Sequence, residues 1–257
     1  MKDSTGTLPV AATARTVVQQ AAIGMLAFML ACIAHEAVGH GGMCVALGGY
    51  ITLLTSVYFR CSHPHWLVDA AGPGMNLVVG IACWAVLATR ELRSAQWRLF
   101  VVLAMAFNLF WGTGYFVYSA VTGEGDWSFL LQDSMLQPAW ASRLAMAALG
   151  ACLYYGSMRL VGARLPPGTS TAMVWLAGGL TSCLAVLFFR GAVPPALSQA
   201  AWESSGAAAG LLLLGRRAST SPAITASGTF DGRGYAWPLA AVVALVAFVA
   251  SLGRGLP

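Results

Sequence analysis

Two histidines and a glutamate stand within six residues, in the stretch His35-Glu36-Ala37-Val38-Gly39-His40. Zinc hydrolases combine these residue types, because imidazole nitrogens hold the metal and a carboxylate activates water. The stretch directly follows an apolar run, residues 21–34, that belongs to a segment long enough to span a membrane. Ionisable side chains at such depth are costly to bury without partners and are functional by default. The sequence therefore predicts a metal-dependent site at the end of a membrane helix.

The spacing of the two histidines is unusual for a helical zinc site. In the pattern His-Glu-x-x-His the ligands are four residues apart and share one helix face, whereas His35 and His40 are five apart. Five residues of a regular α-helix rotate the side chain by about 140°, so the two rings could not reach one ion. The site therefore needs either a π-bulge, which adds one residue to a turn, or unwinding at Gly39 with help from Gly41 and Gly42.

The composition predicts a polytopic membrane protein. Of the 257 residues, 58% are apolar and 9% are charged, against about 25% charged in soluble domains, and the mean hydropathy is +0.72. No basic cluster accompanies aromatic residues in a soluble segment, so nucleic acid is not an expected partner. Trp111 is one of six aromatic residues near helix ends that we expect to be interfacial anchors.

We predict an all-α membrane fold with about six or seven transmembrane helices and a short β-like segment between the first two. The β-like segment, residues 50–59, is rich in β-branched and aromatic residues. Apolar stretches of about 20 residues locate the helices, at 17–36, 66–89, 99–121, 139–161, 172–189, 197–214 and 235–252. The sixth is weak because Glu203 and two serines interrupt it. The expected divisions are a cytoplasmic tail (1–16), a core of three helices (17–130), and further helices with a flexible loop near 216–234 (131–257).

The distribution of positive charge predicts the orientation. With the N-terminus in the cytoplasm and seven spans, ten of the fourteen lysines and arginines lie inside and four outside. The expected location is a bacterial inner membrane, with His35, His40 and Asp126 all near the outer ends of their helices. Cys44 and Cys61 flank the first outer loop and would be free to pair if that loop faces an oxidising compartment.

A catalytic zinc site needs a third protein ligand besides its water. We expect this ligand to be Asp126, in Gly123-Glu-Gly-Asp-Trp127, ahead of Asp69, His63 and His65. The alternative for Asp126 is a solvated residue of the turn between two spans.

Together these motifs resemble the site-2 protease family of intramembrane zinc metalloproteases. The His-Glu pair and the following His in a membrane helix are similar to that family, and Ala70-Ala-Gly-Pro-Gly-Met-Asn76 looks like its Gly-Pro-x-x-Asn motif in the next membrane helix. The intervening β-like segment, Asn108 in a third helix and a later Asp-containing turn are similar as well. The resemblance covers about residues 20–130.

The resemblance implies a metalloprotease that hydrolyses peptide bonds of membrane proteins within the lipid bilayer. Its cofactor would be Zn²⁺, held by His35, His40 and Asp126, with Glu36 as the catalytic base.

The same resemblance implies that Asn76, Gly72 and Pro73 contact the substrate. From the residues alone, Asn76 could instead be a helix–helix hydrogen-bonding residue, and Gly72-Pro73 a turn at the start of a helix.

The sequence leaves a second function open, a catalytically inactive protein of the same fold that binds a membrane partner. The five-residue histidine spacing favours it. A transporter is disfavoured because no broken helices occur in matched halves.

Overall fold

The computed structural model describes residues 10–132, 139–218 and 235–256. The helices, in chain order, are α1 (Val10–Ile33), α2 (Gly42–Ala46), α3 (Trp66–Thr89), α4 (Ala95–Thr122), α5 (Phe129–Gln132), α6 (Ala139–Gly162), α7 (Thr171–Val186), α8 (Val193–Ala201), α9 (Gly210–Ala218) and α10 (Ala236–Phe248). Three π-helical turns (Ala34–Gly41, Trp202–Gly206, Val249–Gly253) and a 3₁₀ turn (Ala207–Ala209) continue or join them. The strands are β1 (Ile51–Leu54) and β2 (Phe59–Cys61).

The chain is an integral membrane protein. Among the described residues, five helical segments are long and apolar enough to cross a bilayer: Ala14–Ala46, Trp66–Thr89, Ala95–Thr122, Trp140–Gly162 and Ala236–Gly253. The predicted all-α class of membrane fold is confirmed.

Five of the predicted spans correspond to the five helical segments that are long and apolar enough to cross a bilayer. The predicted fifth span is the shorter helix α7, and the predicted sixth is divided among α8, a π-helical turn, a 3₁₀ turn and α9. α3 has the bounds predicted from its apolar run, because a membrane helix must satisfy all its backbone hydrogen bonds within itself and hydropathy alone locates it. α1 begins at Val10, so the last part of the expected tail is helical. α9 runs to Ala218, so the expected loop near 216–234 begins with helix, and positions 219–234 lie outside the described residues.

Helix α4 is the centre of the bundle. It begins after Ser94, whose side chain accepts a hydrogen bond from the Trp97 backbone, and ends at Gly123, whose φ of +78° closes the last turn. It packs against α1, α3 and α6. The contact with α3 depends on small residues, since a Cβ on Gly112 would lie 3.0 Å from the carbonyl oxygen of Pro73.

The β-like segment predicted between the first two membrane helices is present, and it is an antiparallel hairpin. Its register pairs Ile51 with Cys61 and Leu54 with Phe59. A disulfide joins Cys61 to Cys44 of α2. The other end of the chain reaches the same hairpin, because Leu256 exchanges two backbone hydrogen bonds with Leu54. The hairpin is thereby fixed against the first membrane helix and against the C-terminal segment.

Candidate metal centre

His35 and His40 face one another because the helix between α1 and α2 is π-helical. Its backbone bonds link residues five apart, which places such residues on the same face. The two Nε2 atoms are 3.1 Å apart. The chain does not unwind at Gly39, where a Cβ would lie 2.5 Å from the carbonyl oxygen of Ala71 on α3. Of the two devices that the spacing required, the π-bulge is the one that forms.

The third group at this point is Asp126, which comes from the turn after α4. Its Oδ2 lies 2.9 Å from His35 Nε2 and 3.5 Å from His40 Nε2. Gly123 and Gly125 both have positive φ, which turns the chain back toward the histidines. Ligand atoms of these three residues lie within 4.8 Å of one another, so the group could hold a metal ion.

The three rivals for the third position are not part of this group. Asp69 lines the same small cavity but is not part of this group of three. His65 caps α3 by accepting a hydrogen bond from the Leu67 backbone. His63 is within 3.0 Å of the Ser62 hydroxyl in the exposed loop.

A chain of hydrogen bonds fixes the orientation of the His35 ring. Asn108 donates from Nδ2 to the carbonyl oxygen of Ala104, so its Oδ1 must accept. Asn108 Oδ1 accepts a hydrogen bond from Asn76 Nδ2, and Asn76 Nδ2 also donates to the carbonyl oxygen of Ala31, 3.0 Å away. Asn76 Oδ1 therefore faces His35 Nδ1, at 2.6 Å, and the imidazole donates to it. His35 Nε2 is left to face the cluster.

The His40 ring is held in the same way. Its Nδ1 lies 2.6 Å from the carbonyl oxygen of Val68, which can only accept, so Nδ1 carries the hydrogen. Donation from the second ring nitrogen to protein oxygens is the usual arrangement around metal-binding histidines. Two imidazole lone pairs and the Asp126 carboxylate then converge, and only a cation or added protons can neutralise their mutual repulsion.

The charge state of Asp126 suits a ligand. Burial disfavours its charge, but the facing imidazoles, His40 foremost, outweigh that effect when they carry the added protons, and they then hold the pKa of Asp126 well below its ordinary value. The carboxylate is therefore ionised at neutral pH, as metal binding requires. The alternative of a solvated turn residue does not fit, because the side chain is 21% exposed and directed at the histidines.

Glu36 lies beside this group and is 2% exposed. Its Oε2 has no hydrogen-bond partner among the described residues. It lines a cavity of about 200 Å³ together with the three candidate ligands. A buried carboxylate without a partner, next to a candidate metal centre, is placed to accept a proton.

The three residues expected to contact substrate make structural contacts around the candidate centre. Asn76 is fully buried, and its amide bonds to His35, Ala31 and Asn108, so it holds the candidate ligand His35 in place; its contact with substrate stays a prediction. Gly72 makes room for the ring of His40, since a Cβ there would overlap it. Asn76, Gly72 and Pro73 line neither this small cavity nor a larger one, of about 950 Å³, that adjoins it.

Pro73 is the third of them, and it is buried inside α3. The reading of Gly72-Pro73 as a turn at the start of a helix is wrong, because α3 begins at Trp66.

Two aromatic side chains that contact His35, those of Trp111 and Tyr115, were not predicted as part of the site. Trp111 was expected at the interface but is 1% exposed, and its ring stacks on His35 with centroids 4.9 Å apart. Tyr115 lies on the same face, 5.6 Å from the His35 ring. The positions 108, 111 and 115 have the i, i+3, i+7 spacing of one helix face, a signal that could have placed both rings beside Asn108.

Comparisons with protein-family models, with curated proteins and with solved structures found no match. The chemistry of the site is therefore inferred from its residues and their geometry.

Proposed function

We propose that this protein is an intramembrane zinc metalloprotease that hydrolyses peptide bonds of membrane protein substrates. One observation carries the proposal: two imidazole Nε2 atoms and a carboxylate oxygen converge while each Nδ1 is bonded to a protein oxygen. Two nitrogens and one oxygen form a ligand set found in catalytic zinc sites, which keep a further position open. The partners are then a membrane protein or peptide and the bilayer itself.

Each residue of the group has a role in this reaction. His35, His40 and Asp126 would hold the Zn²⁺, which lowers the pKa of water that it binds to about 7 and polarises a carbonyl oxygen. Glu36 would accept the proton of the attacking water and pass it to the nitrogen of the leaving amine. Trp111 would fix the His35 ring by stacking and exclude water from that side.

The hairpin supports a peptide as the substrate. Tyr58 and Phe59 line the small cavity, and the Phe59 ring stacks on His40 with centroids 5.4 Å apart. Among the described residues, β1 is the only strand that pairs with β2. An unwound substrate segment added to the hairpin as a further strand would pass the candidate centre.

We infer seven crossings and an outward-facing site. Gln20 of α1 accepts a hydrogen bond from the backbone of Ser170, which places the start of α7 beside the inner part of α1. α7 then leads to Phe189, which contacts Tyr58 of the hairpin. α8 and α9 then lead the chain back to the start of α7. Gly215 of α9 lies so close to Thr171 of α7 that a Cβ on Gly215 would overlap the Thr171 hydroxyl. The Cys44–Cys61 disulfide fits an outer, oxidising compartment such as the periplasm beside a bacterial inner membrane.

Metal content tests the proposal first. Protein purified in detergent without a histidine tag is expected to bind about one zinc per chain. His40→Ala should lose the metal, and His63→Ala, which changes a loop histidine, should keep it. No zinc in the unmodified protein, even after zinc is supplied, would overturn the proposal.

Proteolysis is tested with Glu36→Gln. The variant should keep its zinc and lose turnover about 10²–10⁴-fold, the usual contribution of a general base. The alternative function, an inactive protein that binds a membrane partner, predicts that Glu36→Gln changes nothing measurable. The five-residue histidine spacing favoured that alternative, and the π-helical turn removes the argument because it lets both rings face one point.

A further inference from the structure

Glu203 is a second buried carboxylate near the candidate centre. It lies on the π-helical turn Trp202–Gly206, in the part of the chain beyond the protease-like core, and is 5% exposed. Its Oε1 accepts hydrogen bonds from Tyr115 and Gln199, both at 2.7 Å. Its Oε2 is also buried, and no group of the described part of the chain forms a hydrogen bond with it. A carboxylate at such depth is costly unless its charge is compensated, and residues of this kind mark substrate sites.

Glu203 stands where two cavities meet. The small cavity of the candidate centre and a larger one of about 950 Å³ share four lining residues: Tyr58, Tyr115, Gln199 and Glu203. The larger cavity is bounded by α4, α6 and α8 and has a mainly apolar and aromatic lining. Its volume is that of a site for a sizeable ligand. A chain that entered it would pass Glu203 before reaching Glu36.

The charge of this region is one-sided. Of the described residues that line the two cavities, several are acidic and none is lysine or arginine. A metal ion would neutralise the cluster at Asp126 but not Glu203. Tyr118, Tyr154 and Trp202 add aromatic rings to the larger cavity, and aromatic faces attract cations.

We propose that Glu203 is a specificity-determining residue that binds the positively charged side chain of a lysine or arginine in the substrate. The apolar residues of the same segment would occupy the larger cavity. This inference rests on the proposed function, because it takes the ligand to be a peptide. A purely structural role, tying the turn after α8 to α4 through Tyr115, needs only Oε1 and leaves Oε2 without a use.

Binding of matched peptides tests the inference. The probes are labelled apolar nonapeptides with one lysine moved through the sequence, each paired with a peptide that has norleucine, the uncharged analogue, at that position. Zinc-supplied protein carrying Glu36→Gln is used so that the peptides stay intact, and binding is followed by fluorescence anisotropy. We expect at least one lysine peptide to bind about tenfold or more tightly than its norleucine partner, a modest value for a buried charge pair.

Variants assign the preference to one carboxylate. Glu203→Gln keeps the size of the side chain and the two acceptor bonds at Oε1, and should abolish the preference for lysine. Glu124→Gln is the matched control, since Glu124 lines the larger cavity but is exposed, and it should keep the preference. Glu203→Asp retains the charge and should keep part of it.

The outcomes separate this inference from the proposed function. If protein that retains Glu203 binds the lysine and norleucine peptides equally well, the role of Glu203 is overturned. This outcome does not depend on whether the Glu203 variants fold. A preference that survives Glu203→Gln also overturns it. Cleavage of both peptide types by the unmodified protein at equal rates would support the protease and refute the role of Glu203. A preference that depends on Glu203, in a protein that neither binds zinc nor cleaves peptides, would support the pocket and refute the protease.

Discussion

Replacing Asn76 with leucine should weaken metal binding while the protein still folds. The substitution keeps a similar volume at a fully buried position and removes three hydrogen bonds, to His35, Ala31 and Asn108. The His35 ring would lose the acceptor that fixes its Nδ1 hydrogen and its orientation. The other two bonds only join helices.

The expected losses of stability and of zinc affinity are similar in size, and each is measured separately. Interhelical hydrogen bonds in membrane proteins average about 0.6 kcal/mol, so three of them contribute about 2 kcal/mol to stability. Loss of an outer hydrogen bond on a metal-binding histidine typically lowers metal affinity about 10–100-fold. We therefore expect Asn76→Leu to fold and to bind zinc 10–100-fold more weakly, a loss of about 1.4–2.7 kcal/mol in binding free energy.

The assay is competition for zinc with a chromophoric chelator in detergent, with thermal unfolding measured on the same samples. Thr113→Val is the control, because Thr113 is buried on α4 and its hydroxyl, among the described residues, bonds to no group but the carbonyl oxygen of Leu109. It should leave zinc affinity unchanged. Asn76→Asp keeps an acceptor for His35 and should retain more affinity than Asn76→Leu. A folded Asn76→Leu variant whose zinc affinity is within about twofold of the unmodified protein would refute the reasoning.

Three further changes test other parts of the site. Gly72→Ala should lower zinc affinity about tenfold or more because its Cβ overlaps the His40 ring, whereas Gly74→Ala, whose Cβ meets nothing within 4 Å, should not; equal affinities would contradict this. Cys61→Ser should lower the free energy of unfolding by about 3 kcal/mol, as expected for a crosslink that closes a short loop, and a reductant should have the same effect on the unmodified protein. Deletion of Val38, which is 50% exposed, should convert the π-helical turn to a regular helix with the two histidines four residues apart. The variant should still contain about one zinc per chain, measured as metal content. Loss of zinc from a folded deletion variant would contradict the proposed arrangement of the ligands.

The sequence determined the elements and the residue types of the site. Hydropathy located the helices because a chain in lipid has few ways to satisfy its backbone, and each span is a local property. The distribution of Lys and Arg between loops predicted that His35, His40 and Asp126 lie at the same depth in the membrane, although Asp126 is far along the chain. The five-residue spacing also showed that a regular helix was excluded, so a π-bulge or an unwound turn was required.

The tertiary structure decided how the helices rotate and which faces meet. Hydropathy does not fix the rotation of a membrane helix about its axis, because lipid and a neighbouring helix are about equally apolar. That rotation lets Asn76 bond to His35, and it puts Trp111 against His35 instead of at the interface. It also brings Glu203, a residue that only weakened a predicted span, to Tyr115 and the edge of the candidate centre. A local pattern can place residues on one helix face, but contacts between helices distant in sequence decide what that face meets.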